Sequence, residues 1–401
     1  MALISITPPV KIEYPLLIIA AAAADLARSA HHGGLRPLTL DWFSDDDTRL
    51  ASLDTYDVGN HDRSGFDGDR IMQALDRIQR LHDAPLPMVY GSGLDCRPDI
   101  LESIPSGIRL HGNPPELLRM VKHPRHWQAL LKELDIPYPE TREAAPAEVA
   151  GWLYKPSCGE GGHGIVPAEA ARDRTHGYYQ KALTGLTCSL LFLASRRKVF
   201  AIGINTQWTD AGAQENPYRF GGIINRPLKM GPWIQNILQY AQRLARKLDL
   251  CGLNTIDFIV HDQTAYVLEL NPRPGASFTL YDDDYPGGLL KYHLQSCQKQ
   301  PLPRSKPGSH VRAMQIIYAH CDIRLPEALK WPPWCAHRPE AGSSIRQNHP
   351  VCTVRAMGPT VGSALQQLHS RVASVCQQLG QESPTTPDRN IINTGLITSQ
   401  P

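Results

Sequence analysis

Residues 255–275 constrain the fold most. Two runs, 254–260 and 265–270, each alternate apolar and polar residues around a short polar break. Period-2 alternation in two neighbouring runs is the pattern of a β-hairpin. It puts Thr255, Asp257 and Ile259 on one face of the first strand, and Val267, Glu269 and Asn271 on one face of the second. A three-residue loop of Asp262, Gln263 and Thr264 then pairs His261 with Ala265 and sets Asp257 opposite Glu269. Directly opposite residues bring their Cβ atoms to about 5 Å, and Asn271 follows on the same face. Two carboxylates that close repel unless a cation sits between them. Oxygen donors from Asp257, Glu269 and Asn271 suit Mg²⁺, a hard ion that keeps open positions for water and phosphate; Mn²⁺ is the alternative. An edge hairpin carrying solvated charges is the other reading, and the hairpin alone leaves both open.

A second feature lies upstream. Residues 152–156 read as a short strand ending near Lys155, followed by the loop Ser157-Cys158-Gly159-Glu160-Gly161-Gly162-His163-Gly164. Four glycines in six positions leave backbone N–H groups free to close on phosphate oxygens, with a lysine beside them. The pattern is not Gly-x-x-x-x-Gly-Lys-Ser/Thr, so it is no P-loop. A flexible linker is the plainer alternative.

The chain has 401 residues, too many for one core, so two or three domains are expected. A formal net charge of +2 without a basic block argues against nucleic-acid binding. Nine scattered cysteines lack a Cys-x-x-Cys pair, which points to buried thiols in a reducing cytoplasm and against a structural zinc site. Residues 16–24 are apolar but too short for a membrane span, and they run directly into Asp25-Leu26-Ala27-Arg28. They read as a buried strand entering a helix rather than a secretory signal.

From 16 to 110, strands and helices alternate, the mark of a parallel, Rossmann-like sheet. Strands are expected at 16–19, 37–40 and 87–90 and helices at 21–30 and 69–82, with an acidic turn at Asp45, Asp46 and Asp47. Gly91-Ser92-Gly93 is a structural turn or the edge of a substrate cleft. Asn113 is placed to cap a helix that starts at Pro114, and another helix starts at Pro124. Strands follow at 188–194 and 198–204, and an amphipathic helix at 233–248 delivers the chain to the hairpin. Farther on, 310–319 and 351–356 read as strands and 361–379 as a helix. The tail from Gln381, rich in Ser, Thr, Pro and Asn, is expected to be loose.

The lysine-ended strand, the glycine loop, a Gln-x-x-Leu segment from Gln180 to Leu183 and a Glu-x-Asn-x-Arg from Glu269 to Arg273 occur in that order. In order and spacing this resembles the ATP-grasp superfamily over residues 112–275, and in particular its biotin-carboxylase-like ATP-dependent carboxylate–amine ligases. The resemblance implies α/β and α+β architecture: a Rossmann-like domain at 1–111, an ATP-grasp domain at 112–300, a small C-terminal α+β domain at 301–381 and a tail at 382–401. It implies that Lys155 contacts the ATP phosphates near the adenine and that Gly159, Gly161, Gly162, His163 and Gly164 form a lid over the other phosphates. Gln180, Lys181 and the backbone of Ala182 would face the adenine edge, with Leu183 against the ring. Lys122 would be an earlier phosphate-binding cation, with Arg125 the alternative because Pro124 disturbs the spacing. Asp257, Glu269 and Asn271 would hold the metal. Arg273, Lys155 and Arg219 would act on the reacting groups, Arg273 by gripping the substrate carboxylate. The implied activity is ADP-forming ligation of a carboxylate to an amine or thiol through an acyl-phosphate. One candidate pathway is the addition of an amino acid during biosynthesis of a one-carbon carrier cofactor. A phosphotransferase and a non-catalytic nucleotide-binding regulator are the alternatives. The expected partners are small molecules, without nucleic acid or membrane, and the expected state is a cytoplasmic monomer or homodimer.

Overall fold

The computed structural model describes residues 15–61, 65–82, 85–171, 174–210, 216–300, 308–381 and 384. Almost all of the tail expected to be loose lies outside them. The chain opens with β1 (Leu16–Ala20), all five residues buried, and α1 (Ala24–His32). After β2 (Pro37–Asp41) the acidic triplet starts a helix instead of a turn. Asp45 caps α2 (Asp46–Ala51) by accepting the Thr48 N–H at 2.7 Å, a short polar side chain satisfying an orphan donor of the first turn. β3 (Asp54–Asp57), α3 (Gly68–Arg80), β4 (Leu86–Tyr90), α4 (Pro98–Glu102) and β5 (Ile108–Leu110) follow. The five strands form a parallel sheet in the order β3-β2-β1-β4-β5.

The next helices are α5 (Pro115–Lys122) and α6 (Pro124–Glu133), which buries Trp127, Leu130 and Leu131. Asn113 does not cap α5; that position belongs to Pro114. Its amide instead ties three segments together, donating to Cys251 O at 3.0 Å and Pro272 O at 2.8 Å while accepting the Cys251 N–H.

A four-stranded sheet is built from β6 (Thr141–Arg142), β7 (Trp152–Pro156), β8 (Val166–Pro167) and β9 (Gly177–Lys181), in the order β6-β9-β7-β8. A larger sheet begins with β10 (Leu186–Ser195), β11 (Lys198–Thr209) and β12 (Phe220–Ile224). It continues after α7 (Trp233–Leu248) with the hairpin β13 (Gly252–His261) and β14 (Thr264–Asn271), and after α8 (Leu289–Cys297) with β15 (Val311–Tyr318). The short pair β16 (Ile323–Arg324) and β18 (Ser344–Ile345) stands apart, while β17 (Cys335–Ala336) and β19 (Pro350–Gly358) join the large sheet. α9 (Val361–Gln378) packs its buried Leu365, Leu368, Val372 and Val375 behind them. The large sheet runs β14-β13-β10-β11-β12-β15-β19-β17. The region after residue 300 therefore extends the hairpin's own sheet through the β12–β15 pairing, with only the short β16–β18 pair apart from it. No helix among the described residues is long and apolar enough to cross a membrane.

Candidate active site

The hairpin reaches its geometry by a different route from the expected one. Its turn has two residues, Asp262 at φ 45° and Gln263 at φ 62°, both in the left-handed region that tight hairpin turns use. His261 therefore pairs with Thr264, not Ala265. That one-residue shift alone would turn Glu269 to the wrong face. A β-bulge cancels it: Phe258 pairs with Val267 and Asp257 with Glu269, leaving Leu268 as the extra residue. Val267 consequently joins Phe258 in the core instead of sharing a face with Glu269. The Trp127 indole N–H donates to Leu268 O at 3.2 Å and fixes the bulge from behind. Asn271 Nδ2 donates to Asp257 Oδ2 at 2.8 Å and to Glu269 Oε1 at 3.2 Å.

Two lysines meet this oxygen cluster. Lys122, the last residue of α5, places Nζ 2.7 Å from Asn271 Oδ1, 3.3 Å from Glu269 Oε2 and 3.8 Å from Asp95 Oδ1. Arg125 points away, paired with Glu143 and 73% exposed. Lys155 lines the same cleft from β7. Burial pushes its ammonium down, against the pull of Glu269 and Asp257. Burial and the Glu269 charge hold the Asp257 carboxyl well above the usual range. Desolvation inside the cleft opposes ionisation of Glu269 too, but Lys122, the contacts with Asp257 and Asn271, and Lys155 together outweigh it and lower that carboxyl to about 2. A hard-oxygen set with one carboxylate ionised and the other held back by its neighbour fits a divalent cation.

The glycine loop covers a cleft of about 470 Å³ lined by Lys122, Lys155, Asp257, Glu269, Asn271 and Arg273 among others. Gly162 sits at φ 76°, and a Cβ there would lie 1.9 Å from Tyr218 O, so only glycine fits. Phe220 N–H donates to Gly161 O at 2.8 Å, seating the loop on residues 216–220. On its other side Glu160 accepts the Gly93 N–H at 2.8 Å, and Cys158 is disulfide-bonded to Cys96. This pair departs from the expectation of thiols alone: the fold brings together two cysteines 62 residues apart. Seven other cysteines are free.

Other expected residues fall elsewhere. Arg219 is 2% exposed, ion-paired to Asp210, and its guanidinium lies 3.8 Å from the Tyr318 ring centroid. It is committed to holding the 216–220 loop down, and the cleft is lined by its neighbours Tyr218 and Phe220 instead. Lys181 and Ala182 are exposed, and the Ala182 N–H is spent on Gly151 O at 2.9 Å. Neither residue lines the cleft, nor does Leu183. Gln180 is buried and donates to Thr141 Oγ1 at 3.1 Å, beside Tyr178 and Leu268 in a narrow pocket. Arg273 lines the cleft, but its Nε–H is bonded to Asp95 Oδ2 at 2.6 Å. A grip on a carboxylate through the Nε edge is therefore blocked; the Nη end, where Nη1 also makes a long 3.4 Å bond to Pro274 O, is left for it.

Sequence reading missed Asp95, Glu160, Tyr178, Gln207, Thr255 and Ser277. Asp95 is buried between Arg273 and Lys122. Glu160 shares its surroundings, and burial together with the Asp95 charge raises the Glu160 carboxyl to about 7. Gln207 donates to Asp257 Oδ1 at 3.2 Å. Thr255 Oγ1 and Ser277 Oγ line the cleft, buried and without a hydrogen-bond partner among the described residues. Asp95 and Glu160 carried a signal as neighbours of glycine turns, and Thr255 as a residue on the Asp257 face of the hairpin.

Residues 125–277 match a family described as the ATP-grasp domain. Among solved structures, the biotin carboxylase domain of Hydrogenobacter thermophilus 2-oxoglutarate carboxylase aligns with a TM-score of 0.69 at 12% identity, covering 89% of each chain. That protein was solved with MgADP, ADP and bicarbonate. N5-carboxyaminoimidazole ribonucleotide synthetase from Thermus thermophilus aligns with a TM-score of 0.64 at 15% identity, over 92% of this chain and all of that one. An ADP complex of another N5-carboxyaminoimidazole ribonucleotide synthetase structure aligns with a TM-score of 0.68 at 16% identity, over 94% of this chain and all of that one. At these identities the likeness is one of fold.

Proposed function

We propose that this chain, whose residues 125–277 are an ATP-grasp domain, is an ADP-forming ligase that joins a carboxylate to an amine through an acyl-phosphate. One observation carries the reading: Asp257, Glu269 and Asn271 share a cleft with Lys122 and Lys155 beneath a glycine loop. Asp257, Glu269 and Asn271 would hold Mg²⁺ or Mn²⁺, which neutralises charge on the transferring phosphoryl group.

The protein's own groups account for the rest. A carboxylate is a poor electrophile, and phosphorylation gives it a good leaving group. The substrate carboxylate oxygen attacks the γ-phosphorus, the bond to the β-phosphate oxygen breaks and ADP leaves. The amine then attacks the acyl carbon, a carbon–nitrogen bond forms, and phosphate departs as the nitrogen loses its proton. Lys122 and Lys155 oppose the negative charge that develops, and fixed donors in a closed site do so without reorganising. The loop around Gly162 excludes water that would hydrolyse the acyl-phosphate. The Nη end of Arg273, Thr255 Oγ1 and Ser277 Oγ would receive the substrate carboxylate. Every residue named comes from one chain, so monomer and homodimer serve equally. An amino acid joined to a one-carbon carrier precursor is the substrate pair to screen first.

The test is ADP release from MgATP with panels of carboxylates and amines. A ligase releases ADP and phosphate only when both substrates are present. A phosphotransferase needs no amine and retains the phosphoryl group on its product. ATP binding without turnover against any pair would leave the regulator.

A further inference from the structure

Behind residues 274–279 lies a second cavity of about 780 Å³. It shares Ser92, Gly275, Ala276 and Ile316 with the first cleft, so one ligand in each would meet beside Arg273. The cavity lies at the carboxyl ends of β1 and β2, where open α/β sheets bind ligands. The start of α1 would ordinarily attract an anion there. In this chain Asp25 occupies that first turn, buried and facing the cavity. Asp25 is itself matched by Arg355 and by His337 Nε2 at 3.3 Å.

Ser44 and Asp45, on the loop after β2, have less company. Asp45 is 7% exposed and lines the cavity; Oδ1 accepts only from Thr48, at 2.7 and 2.8 Å, and the His337 imidazole that also acts on it is shared with Asp25. Ser44 is 6% exposed at φ 48°, and its hydroxyl has no hydrogen-bond partner among the described residues. A serine in the left-handed region is strained, and such strain persists where the surroundings fix it. Asp41 does so, accepting the Phe43 and Ser44 N–H groups at 2.7 Å each. The loop thus presents a desolvated carboxylate and a free hydroxyl on a rigid base, and a buried charge calls for a partner. Leu26, Phe43 and Phe278 make the adjoining wall apolar.

We propose that this cavity takes the amine co-substrate, an aliphatic compound with two nitrogens. One nitrogen reaches Gly275 and attacks the acyl carbon; the other is cationic and held by Asp45 and Ser44. The inference rests on the ligase reading for the reacting end only.

Calorimetry on the full chain with MgADP tests it, using a five-carbon diamine, the matching monoamine and the matching amino carboxylate. The diamine is expected to bind about 10- to 100-fold more tightly than either, the range for hydrogen bonds to charged groups. Asp45→Asn keeps an N-cap side chain for α2 and should abolish that preference while MgATP affinity holds. Ser44→Gly suits the left-handed backbone and should weaken diamine binding several-fold. Equal binding of diamine and monoamine, preference for the amino carboxylate, no binding of any probe, or a preference that survives Asp45→Asn would each overturn the proposal. Binding needs no turnover, so these results are separate from amine-dependent ADP release, on which the ligase reading stands or falls.

Discussion

Replacing Glu269 by Gln keeps the shape of the side chain and removes one charge. In the cleft that charge faces Lys122 Nζ at 3.3 Å and accepts from Asn271 at 3.2 Å. If Glu269 is a metal ligand, its loss removes one preorganised electrostatic contact, about 2.7–4 kcal/mol, or about 10²–10³ in kcat. Its contribution to folding is far smaller. The Glu269 side chain is 46% exposed, and an ion pair so solvated is worth about 1 kcal/mol or less. Asp257 offsets part of even that, because its carboxyl is suppressed by Glu269 and gains freedom to ionise. The melting temperature should fall by no more than about 2–4 °C. ADP release at saturating ATP across a Mg²⁺ titration, paired with thermal melts, gives both quantities. A fall in stability as large as the fall in activity would make Glu269 a structural residue, and unchanged kcat would refute its role altogether.

Three further outcomes follow from the loop and its anchors. Gly162→Ala should raise the KM for ATP at least about 10-fold, since its Cβ meets backbone at 1.9 Å, whereas Gly151→Ala, with open space around it, should cost only about 1–2 kcal/mol of stability for its φ of 75°. Equal effects of the two on KM would show that the loop does not need the Tyr218 contact. Reducing the Cys96–Cys158 bond should speed hydrogen exchange across residues 157–165, because it frees one of the loop's anchors; unchanged exchange would mean the bond restrains nothing. Burial raises the Glu160 carboxyl to about 7, with the Asp95 charge adding to it. A raised carboxyl favours the protonated folded form, in which Glu160 donates to Asp95, so that Glu160–Asp95 contact is fully present below the ordinary carboxylate range and is lost as pH rises through about 7, although the Gly93 N–H favours the carboxylate. Loop exchange, corrected for its intrinsic pH dependence, should rise across that interval and become flat in Glu160→Gln.

The parts legible in the sequence were those with local causes. Alternation in the hairpin identified both strands, and the run of glycines identified a loop beside Lys155. Opposition of Asp257 and Glu269 was inferred from a three-residue turn, yet the chain uses a two-residue turn and a bulge at Leu268. Nothing local announces that bulge; the Trp127 contact from α6 fixes it. β3 escaped notice because Asp54–Asp57 lies at the sheet edge, exposed or half-buried, and needs no apolar run. Arg219 read as a free cation because its partner Asp210 and the Tyr318 ring come from other turns and strands. Asp95 and Ser277 reach the cleft only through the packing of the N-terminal sheet against the segment after β14, whereas Thr255 reaches it from the hairpin itself, opposite Asn271. The Cys96–Cys158 pair joins the segment after β4 to the glycine loop after β7, 62 residues apart, which no local pattern announces.

The acyl-phosphate is most directly tested by heavy oxygen. With the carboxylate substrate labelled in both oxygens, each turnover to product should carry one label into the released phosphate, because the attacking carboxylate oxygen stays on phosphorus when the amine displaces it. Productive ligation that leaves the phosphate unlabelled would contradict the mechanism.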